Sequence, residues 1–209
     1  EGARKVIAIE RDRRAIEAVQ DLVEAADGRL EIIEADALDI DLASLGEGPR
    51  RVVANLPYNV GTPMLLAWLK HAEAFESFTL MFQKEVAERI AASPGTEHYG
   101  RLSVAARWRV EIFPLFDIPP RAFTPPPKVT SQVIQLHPRA EPLADADPEL
   151  LEKVTAAAFS QRRKMLRASL KSFGGAEFLE AAGIDPTARP ETLSVEQFCT
   201  LARALGARN

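Results

Sequence analysis

Four short apolar runs, each followed by a segment with helical or turn character, limit the folds open to this chain more than any other feature. The runs are residues 5–10, 30–35, 51–54 and 78–82. Apolar spacing predicts helices over residues 11–26 and 83–92, and Thr62 and Pro63 suit the N-cap and first position of another helix. This alternation predicts parallel strands joined by helices, with both faces of the sheet covered.

The second half of the chain departs from this alternation. Residues 110–113 and 133–136 are predicted to form an antiparallel pair of strands, and between them residues 119–128 hold five prolines. So dense a proline run excludes helix and central strand, and predicts a stiff, extended loop. Helical spacing then covers residues 149–159, 161–173, 176–182 and 194–205. We therefore expect an α/β domain over residues 1–140 and a small all-α domain over residues 141–209.

The composition indicates the cellular compartment and whether a metal site is expected. Cys199 is the single cysteine, so no internal disulfide can form and a reducing compartment is expected. No run of about 18 apolar residues occurs, which predicts a soluble, cytoplasmic protein with no membrane partner. The three histidines are scattered without the spacing of a metal site, so no metal is expected.

Polar side chains end three of the predicted strands: Glu10, Asp36 and Asn55. In a doubly wound sheet, ligands bind at the carboxyl ends of the strands, so these side chains are expected to converge there. One carboxylate, Glu10, can accept both ribose hydroxyls of a nucleoside, and the other, Asp36, can accept an adenine amino hydrogen. The alternative for any single acid is an ordinary polar strand end at the surface.

The sequence NLPY at residues 55–58 resembles the motif of adenine N6 methyltransferases. Together with residues 82–90, 99–104, 123–131 and 159–171, it resembles the small-subunit ribosomal RNA adenine dimethyltransferases over residues 4–205. The resemblance implies a Rossmann-like class I methyltransferase sheet, parallel with an antiparallel end. It also implies S-adenosyl-L-methionine as methyl donor, with Glu10, Asp36, Ala37 and Asn55 as the cofactor-binding residues.

The resemblance further implies how the target amine is held. The side-chain oxygen of Asn55 and the carbonyl of Leu56 would accept hydrogen bonds that strengthen as the amine becomes cationic. Pro57 would fix the turn, and the Tyr58 ring would stack on an extruded base. Phe123 would cover the other face of that base. The alternatives are a strand-to-turn cap for Asn55 and Tyr58, and core packing for Phe123.

A basic segment marks the predicted all-α domain. Residues 159–173 contain no acid in a chain whose net charge is −4, and their basic residues are Arg162, Arg163, Lys164, Arg167 and Lys171. We expect these side chains to contact RNA phosphates, which position RNA without reading its sequence. Phe159, Met165, Leu166 and Leu170 are expected to face inward. The alternative is an ordinary solvated helix.

One departure from the family pattern affects the cofactor. The family has a first strand and a glycine-rich turn before the strand that ends at Glu10, and neither is found in residues 1–9. We therefore expect that the chain lacks about 50 or more residues. A missing strand between those ending at Glu10 and Asn55 would leave a gap of about 9.5 Å, or two strand spacings. This polypeptide alone is then expected to be inactive and to bind S-adenosylmethionine weakly, which calorimetry can test.

The sequence is compatible with three functions. The first is dimethylation of two neighbouring adenosines in a hairpin near the 3′ end of small-subunit rRNA, by a monomer acting on the immature subunit. The second is a large-subunit rRNA methyltransferase of the antibiotic-resistance type, which the segments at residues 125–129 and 162–164 fit less well. The third is a non-catalytic RNA-binding factor in ribosome assembly.

Overall fold

The structure, a computed structural model, describes residues 3–161 and 164–208 and divides into two compact units at the bond between Arg50 and Arg51. The two units are described in turn. Among the described residues, no helix is long and apolar enough to cross a bilayer.

The first unit is built on two parallel strands with helices between them. Its elements are strand β1 (Val6–Glu10), helix α1 (Arg13–Ala18), helix α2 (Gln20–Ala25), strand β2 (Leu30–Glu34) and a 3₁₀ turn (Leu42–Ser44). In the register of β1 and β2, Val6 lies opposite Leu30 and Glu10 opposite Glu34. The carboxyl ends of the two strands therefore meet at one edge.

The helical segment of the first unit begins and breaks at identifiable residues. The side chain of Asp12 caps α1 by accepting the N–H of Arg14. The predicted single helix over residues 11–26 is interrupted at Val19, whose φ of −111° and ψ of 9° lie outside the helical range. The Val19 N–H bonds the Ile16 carbonyl three residues back, at 3.3 Å, and this tighter turn separates α1 from α2.

The second unit contains a four-stranded mixed sheet. Its strands are β3 (Arg51–Asn55), β4 (Ser77–Gln83), β5 (Val110–Ile118) and β6 (Ser131–Pro138), in the order β3-β4-β6-β5. β3 and β4 are parallel, whereas β6 is antiparallel to both β4 and β5. The predicted antiparallel pair is confirmed, although β5 runs beyond its predicted end because a bulge between Pro114 and Phe116 lets the ladder continue.

Helices pack around this sheet, and several of them form an apolar core with one another. They are α3 (Gly61–Leu69), α4 (Lys84–Ala91), α5 (Arg101–Arg109), α6 (Pro148–Phe159), α7 (Leu166–Ser169), α8 (Gly175–Ala181) and α9 (Val195–Gly206). The core joins Val104 and Trp108 of α5 to Val154, Phe178 and Phe198 of the C-terminal helices. It therefore includes residues from both sides of position 140, and a domain boundary at that position stays a prediction.

Helix α5 was not predicted, because its sequence lacks a single apolar stripe. Its buried residues are Ser103, Val104, Ala106 and Trp108, which lie on more than one side of the helix. The helix packs against α3, α4, α6 and α9, so tertiary contacts stabilise it.

Two predicted helix boundaries are wrong. Helix α3 begins at Gly61 with Val60 as N-cap, because the Pro57 carbonyl accepts the N–H groups of Val60 and Gly61 and the turn leads directly into the helix. The expected helix over residues 161–173 is reduced to α7 and a 3₁₀ turn (Lys171–Phe173).

The shortening of that basic helix has a tertiary cause. The N–H groups of Leu166 and Arg167 bond the carbonyls of Ala188 and Pro186 at 2.8 and 3.1 Å, and Met165 adopts an extended conformation. Met165 is consequently 42% exposed, which contradicts the expectation that it faces inward, whereas Leu166 and Leu170 are buried as expected. The proline loop also differs from a wholly extended one, since Pro120–Ala122 form a 3₁₀ turn.

Candidate active site

A pocket of about 340 Å³ opens at the carboxyl ends of β3 and β4 in the second unit. Its walls are the turn after β3, the end of β4 and the proline loop between β5 and β6. The lining residues are Asn55, Leu56, Pro57, Tyr58, Met81, Phe123, Pro125 and Pro127.

The turn after β3 is anchored by a buried leucine. Leu56 is 3% exposed, while its neighbours Asn55 and Pro57 are exposed. Helix α3 starts so close to this leucine that a Cβ on Gly61 would lie 3.2 Å from the Leu56 Cβ and from the Phe82 ring. The packing of Leu56 therefore fixes the turn that presents Asn55 and Tyr58 to the pocket.

Asn55 is the last residue of β3 and lies opposite Met81 of β4. Among the described residues, no hydrogen bond is made by its side-chain amide. The amide oxygen is thus available to accept a hydrogen bond from a ligand amine. Because the group is neutral and has no accessible pKa, it can stabilise positive charge on an amine but cannot remove a proton.

Tyr58 presents an aromatic ring beside this amide. The residue is 40% exposed, and its hydroxyl lies 2.7 Å from the Oγ of Ser131, whose side chain is buried. Phe123, on the opposite wall, is half-buried. Two aromatic side chains in one pocket with a free amide suit a planar heterocycle that carries an amino group.

The proline loop is fixed to the sheet at both of its ends. The Lys84 N–H donates to the Thr130 carbonyl at 2.9 Å, and the Lys84 ammonium donates to the Asp117 carboxylate at 2.5 Å. Gln132 donates to the other oxygen of Asp117 at 2.8 Å. The hydrogen bond from Lys84, followed by that from Gln132, lowers the pKa of Asp117, so both contacts favour the charged carboxylate.

The first unit brings two of the predicted cofactor-binding acids to one edge of its sheet. Glu10 ends β1, and its Oε1 accepts the N–H groups of Arg11 and Asp12 at 2.7 and 2.8 Å. Asp36 follows β2, where it accepts the Leu38 N–H and the Arg11 guanidinium, both at 3.0 Å. Arg11 therefore bonds both acids, and Ala37 is half-buried beside Asp36.

The predicted site residues are thus distributed over two places. The five residues predicted to hold the target base all line the pocket of the second unit, whereas Glu10, Asp36 and Ala37 lie in the first unit. The sequence did not point to Met81, Pro125, Pro127 or Ser131. The segment at residues 123–131 contained the signal for three of them, but only the fold shows that Ser131 meets Tyr58.

Three of the five predicted RNA-binding residues are described, and all three are exposed: Lys164, Arg167 and Lys171. Arg162 and Arg163 lie outside the described residues. Over residues 3–161 and 164–208, no group of three or more histidine, cysteine or acidic side chains could hold a metal ion.

Comparison with known proteins gives one family. The family model described as ribosomal RNA adenine dimethylase matches residues 1–206. A ribosomal RNA small subunit methyltransferase A from Rhodospirillum rubrum is 65% identical over 207 residues, which are 99% of this chain and 72% of the relative. The protein of the same name from Paramagnetospirillum magneticum is 65% identical over 208 residues, covering 99% of this chain and 74% of the relative.

Solved structures agree on the fold. A dimethyladenosine transferase from Plasmodium falciparum has a TM-score of 0.81 at 24% identity and covers 98% of this chain and 82% of its own. The 23S rRNA methyltransferase ErmE has a TM-score of 0.73 at 26% identity, with coverage of 97% and 82%. The predicted Rossmann-like α/β class is confirmed.

Proposed function

Because the chain belongs to the ribosomal RNA adenine dimethylase family, we propose that its pocket binds an adenine extruded from small-subunit rRNA and dimethylates the exocyclic amine. The observation that carries this proposal is the set of residues around the pocket: a free Asn55 amide, a buried Leu56 and the rings of Tyr58 and Phe123.

The chemistry requires acceptors for an amine that becomes cationic during methyl transfer. We assign the Asn55 oxygen and the Leu56 carbonyl as these acceptors, whose dipoles would stabilise the positive charge on the amine. Tyr58 and Phe123 stack on the two faces of the base and offset part of its unstacking cost, at about 1–3 kcal/mol per base. The pocket therefore acts by positioning the amine and stabilising its charge, and the proton leaves the amine to solvent after each methyl transfer.

S-adenosylmethionine supplies an electrophilic methyl group when it is bound. The side chains of the first unit fit its nucleoside part, since Glu10 and Asp36 are carboxylates at the ends of adjacent parallel strands. Glu10 would accept the ribose hydroxyls through Oε2, which makes no hydrogen bond to the described residues. Asp36 would accept the adenine amine, with Ala37 beside it.

We further propose that the substrate is a pair of adjacent adenosines in a hairpin near the 3′ end of small-subunit rRNA. The partner would be the immature small subunit, met in the cytoplasm by a monomer, with Lys164, Arg167 and Lys171 among the residues that contact phosphates. The 65% identity to relatives named for the small subunit supports this substrate over the large-subunit alternative. No metal is part of the proposal.

A protein that contains this chain and has the full length of its relatives, incubated with labelled S-adenosylmethionine and immature small subunits, tests the function by mapping of the modified adenosines. The same assay on the 209-residue chain tests the expectation that this chain is inactive alone. The kinetic measurements below use the longer protein. We expect dimethylation of two neighbouring adenosines. Asn55→Ala should lower kcat about 100- to 1,000-fold, the usual cost of one preorganised transition-state hydrogen bond. Asn59→Ala, in the same turn but outside the pocket lining, should retain activity.

Two other results of this assay would each support a different function. Modification of large-subunit rRNA alone would support the resistance-type enzyme, and tight RNA binding without modification would support an assembly factor. Full methylation by Asn55→Ala would contradict the mechanism.

A further inference from the structure

We propose that Ser131 is a positioning residue that fixes the direction in which the Tyr58 side chain points, so that the pocket is ready for a base before RNA arrives. The proposal rests on the function given above, because it concerns how Tyr58 receives the extruded adenine.

Tyr58 combines an accessible ring with an anchored hydroxyl. The residue is 40% exposed, yet its hydroxyl lies 2.7 Å from the Oγ of Ser131, which is 0% exposed. Over the described residues, this is the one hydrogen bond that either hydroxyl makes. A ring that lines the pocket and is held at its hydroxyl can stack on a base without first being ordered.

Ser131 is itself held firmly because of its place in the sheet. It is the first residue of β6, the strand between β4 and β5, and it lies opposite Gln83 on one side and Ile118 on the other. Strand pairing on both sides restrains its backbone, and burial restrains its side chain. Ser131 can therefore act as a fixed point to which Tyr58 is attached.

The hydrogen bond also joins two walls of the pocket. Tyr58 belongs to the turn after β3, whereas Ser131 directly follows the loop whose Phe123, Pro125 and Pro127 form the other wall. That loop is held one residue earlier, where the Thr130 carbonyl accepts the Lys84 N–H. The contact thus fixes Tyr58 to the base of the wall that carries Phe123.

Loss of this anchor should affect the turnover of bound RNA. An untethered tyrosine must be ordered when the base enters, and ordering one side chain corresponds to about a three- to tenfold decrease in rate. The base enters after phosphate contacts have bound the RNA, so kcat should fall while the KM for the ribosomal particle stays constant.

A double-mutant cycle on the methylation of immature small subunits tests the proposal. Ser131→Ala and Tyr58→Phe should each lower kcat about three- to tenfold, with KM within about twofold of its original value. The double variant should be no slower than the slower single variant, and Ser131→Thr should restore kcat. The matched control is Ser77→Ala, which removes another buried serine, at the end of β4 remote from the pocket, and should leave kcat unchanged.

Three results would overturn the proposal: unchanged kcat for Ser131→Ala, additive effects in the cycle, or an equal loss of kcat for Ser77→Ala. A spectroscopic measurement separates it from the proposed function. The chain has two tyrosines, Tyr58 and Tyr99, so the Cζ carbons of ¹³C-labelled tyrosine give two NMR signals. Ser131→Ala should shift the Tyr58 signal and leave that of Tyr99 in place, whether or not the protein methylates small-subunit rRNA, and an unshifted Tyr58 signal would refute the anchor.

Discussion

The two units differ sharply in how well they are packed. In the second unit, Phe78, Leu80, Ile134 and Leu136 are fully buried within one sheet. None of residues 3–50 is buried, and Leu22 and Leu38 are 60% and 51% exposed. Parallel strands are ordinarily covered on both faces, whereas the two-stranded sheet of the first unit is left uncovered in this 209-residue chain. The acids proposed for the cofactor thus rest on a loosely packed frame, and the pocket proposed for the base rests on a densely packed one.

Hydrogen exchange should show this contrast directly and gives the largest expected effect. Amides of β1 and β2 should exchange about a thousandfold faster or more than those of β4 and β6, because local opening of the first unit exposes little additional apolar surface. Amide exchange followed by mass spectrometry resolves the two units. Equal protection of β1 and β6 would show that the low burial of the first unit does not make it less stable than the second.

The strands were predictable from sequence, but the contacts that complete the pocket were not. Short apolar runs located β1 to β4 to within about two residues, because runs of four to eight apolar, largely β-branched residues bounded by turn signals are typical of strands. Helix α5 was missed because its burial is set by four neighbouring helices, and the helix over residues 161–173 is shortened by bonds to residues 186 and 188. The Tyr58–Ser131 contact spans 73 residues, which no local pattern can encode.

Neutralising either acid proposed for the cofactor tests whether the first unit binds S-adenosylmethionine. Glu10→Gln or Asp36→Asn should raise the Kd for S-adenosylmethionine about 10- to 100-fold, because a hydrogen bond to a charged group is worth about 1.5–3 kcal/mol. Calorimetric titration of a protein that contains this chain and has the full length of its relatives measures the change. Glu17→Gln, an exposed acid on α1, is the matched control and should bind the cofactor normally. Equal affinity in all three variants would remove Glu10 and Asp36 from the cofactor site.

Substitution of Gly61 tests how tightly the turn after β3 is packed. Gly61→Ala places a methyl group 3.2 Å from the Leu56 Cβ and the Phe82 ring, so we expect about 1–3 kcal/mol of destabilisation. The displaced Leu56 carbonyl should lower kcat about tenfold, because a shift of about 1 Å at a reacting group costs up to 100-fold. Chemical denaturation and methylation assays measure the two effects. Gly100→Ala, where the new methyl group meets nothing within 4 Å, should not lower kcat.

The smallest expected effect concerns the exposed basic residues beyond both sites. Lys164→Ala and Arg167→Ala should each weaken RNA binding a fewfold and reduce the slope of log K against log salt by about 0.7–0.9, the contribution of one phosphate contact. Binding isotherms at several salt concentrations measure the slope, and Lys70→Ala, an exposed lysine directly after α3, serves as the control. If the salt slope changes while kcat at saturating RNA does not, the basic segment contributes to RNA affinity and the pocket determines the rate of methylation. An unchanged slope would exclude Lys164 and Arg167 from the RNA interface and leave phosphate binding to other basic side chains.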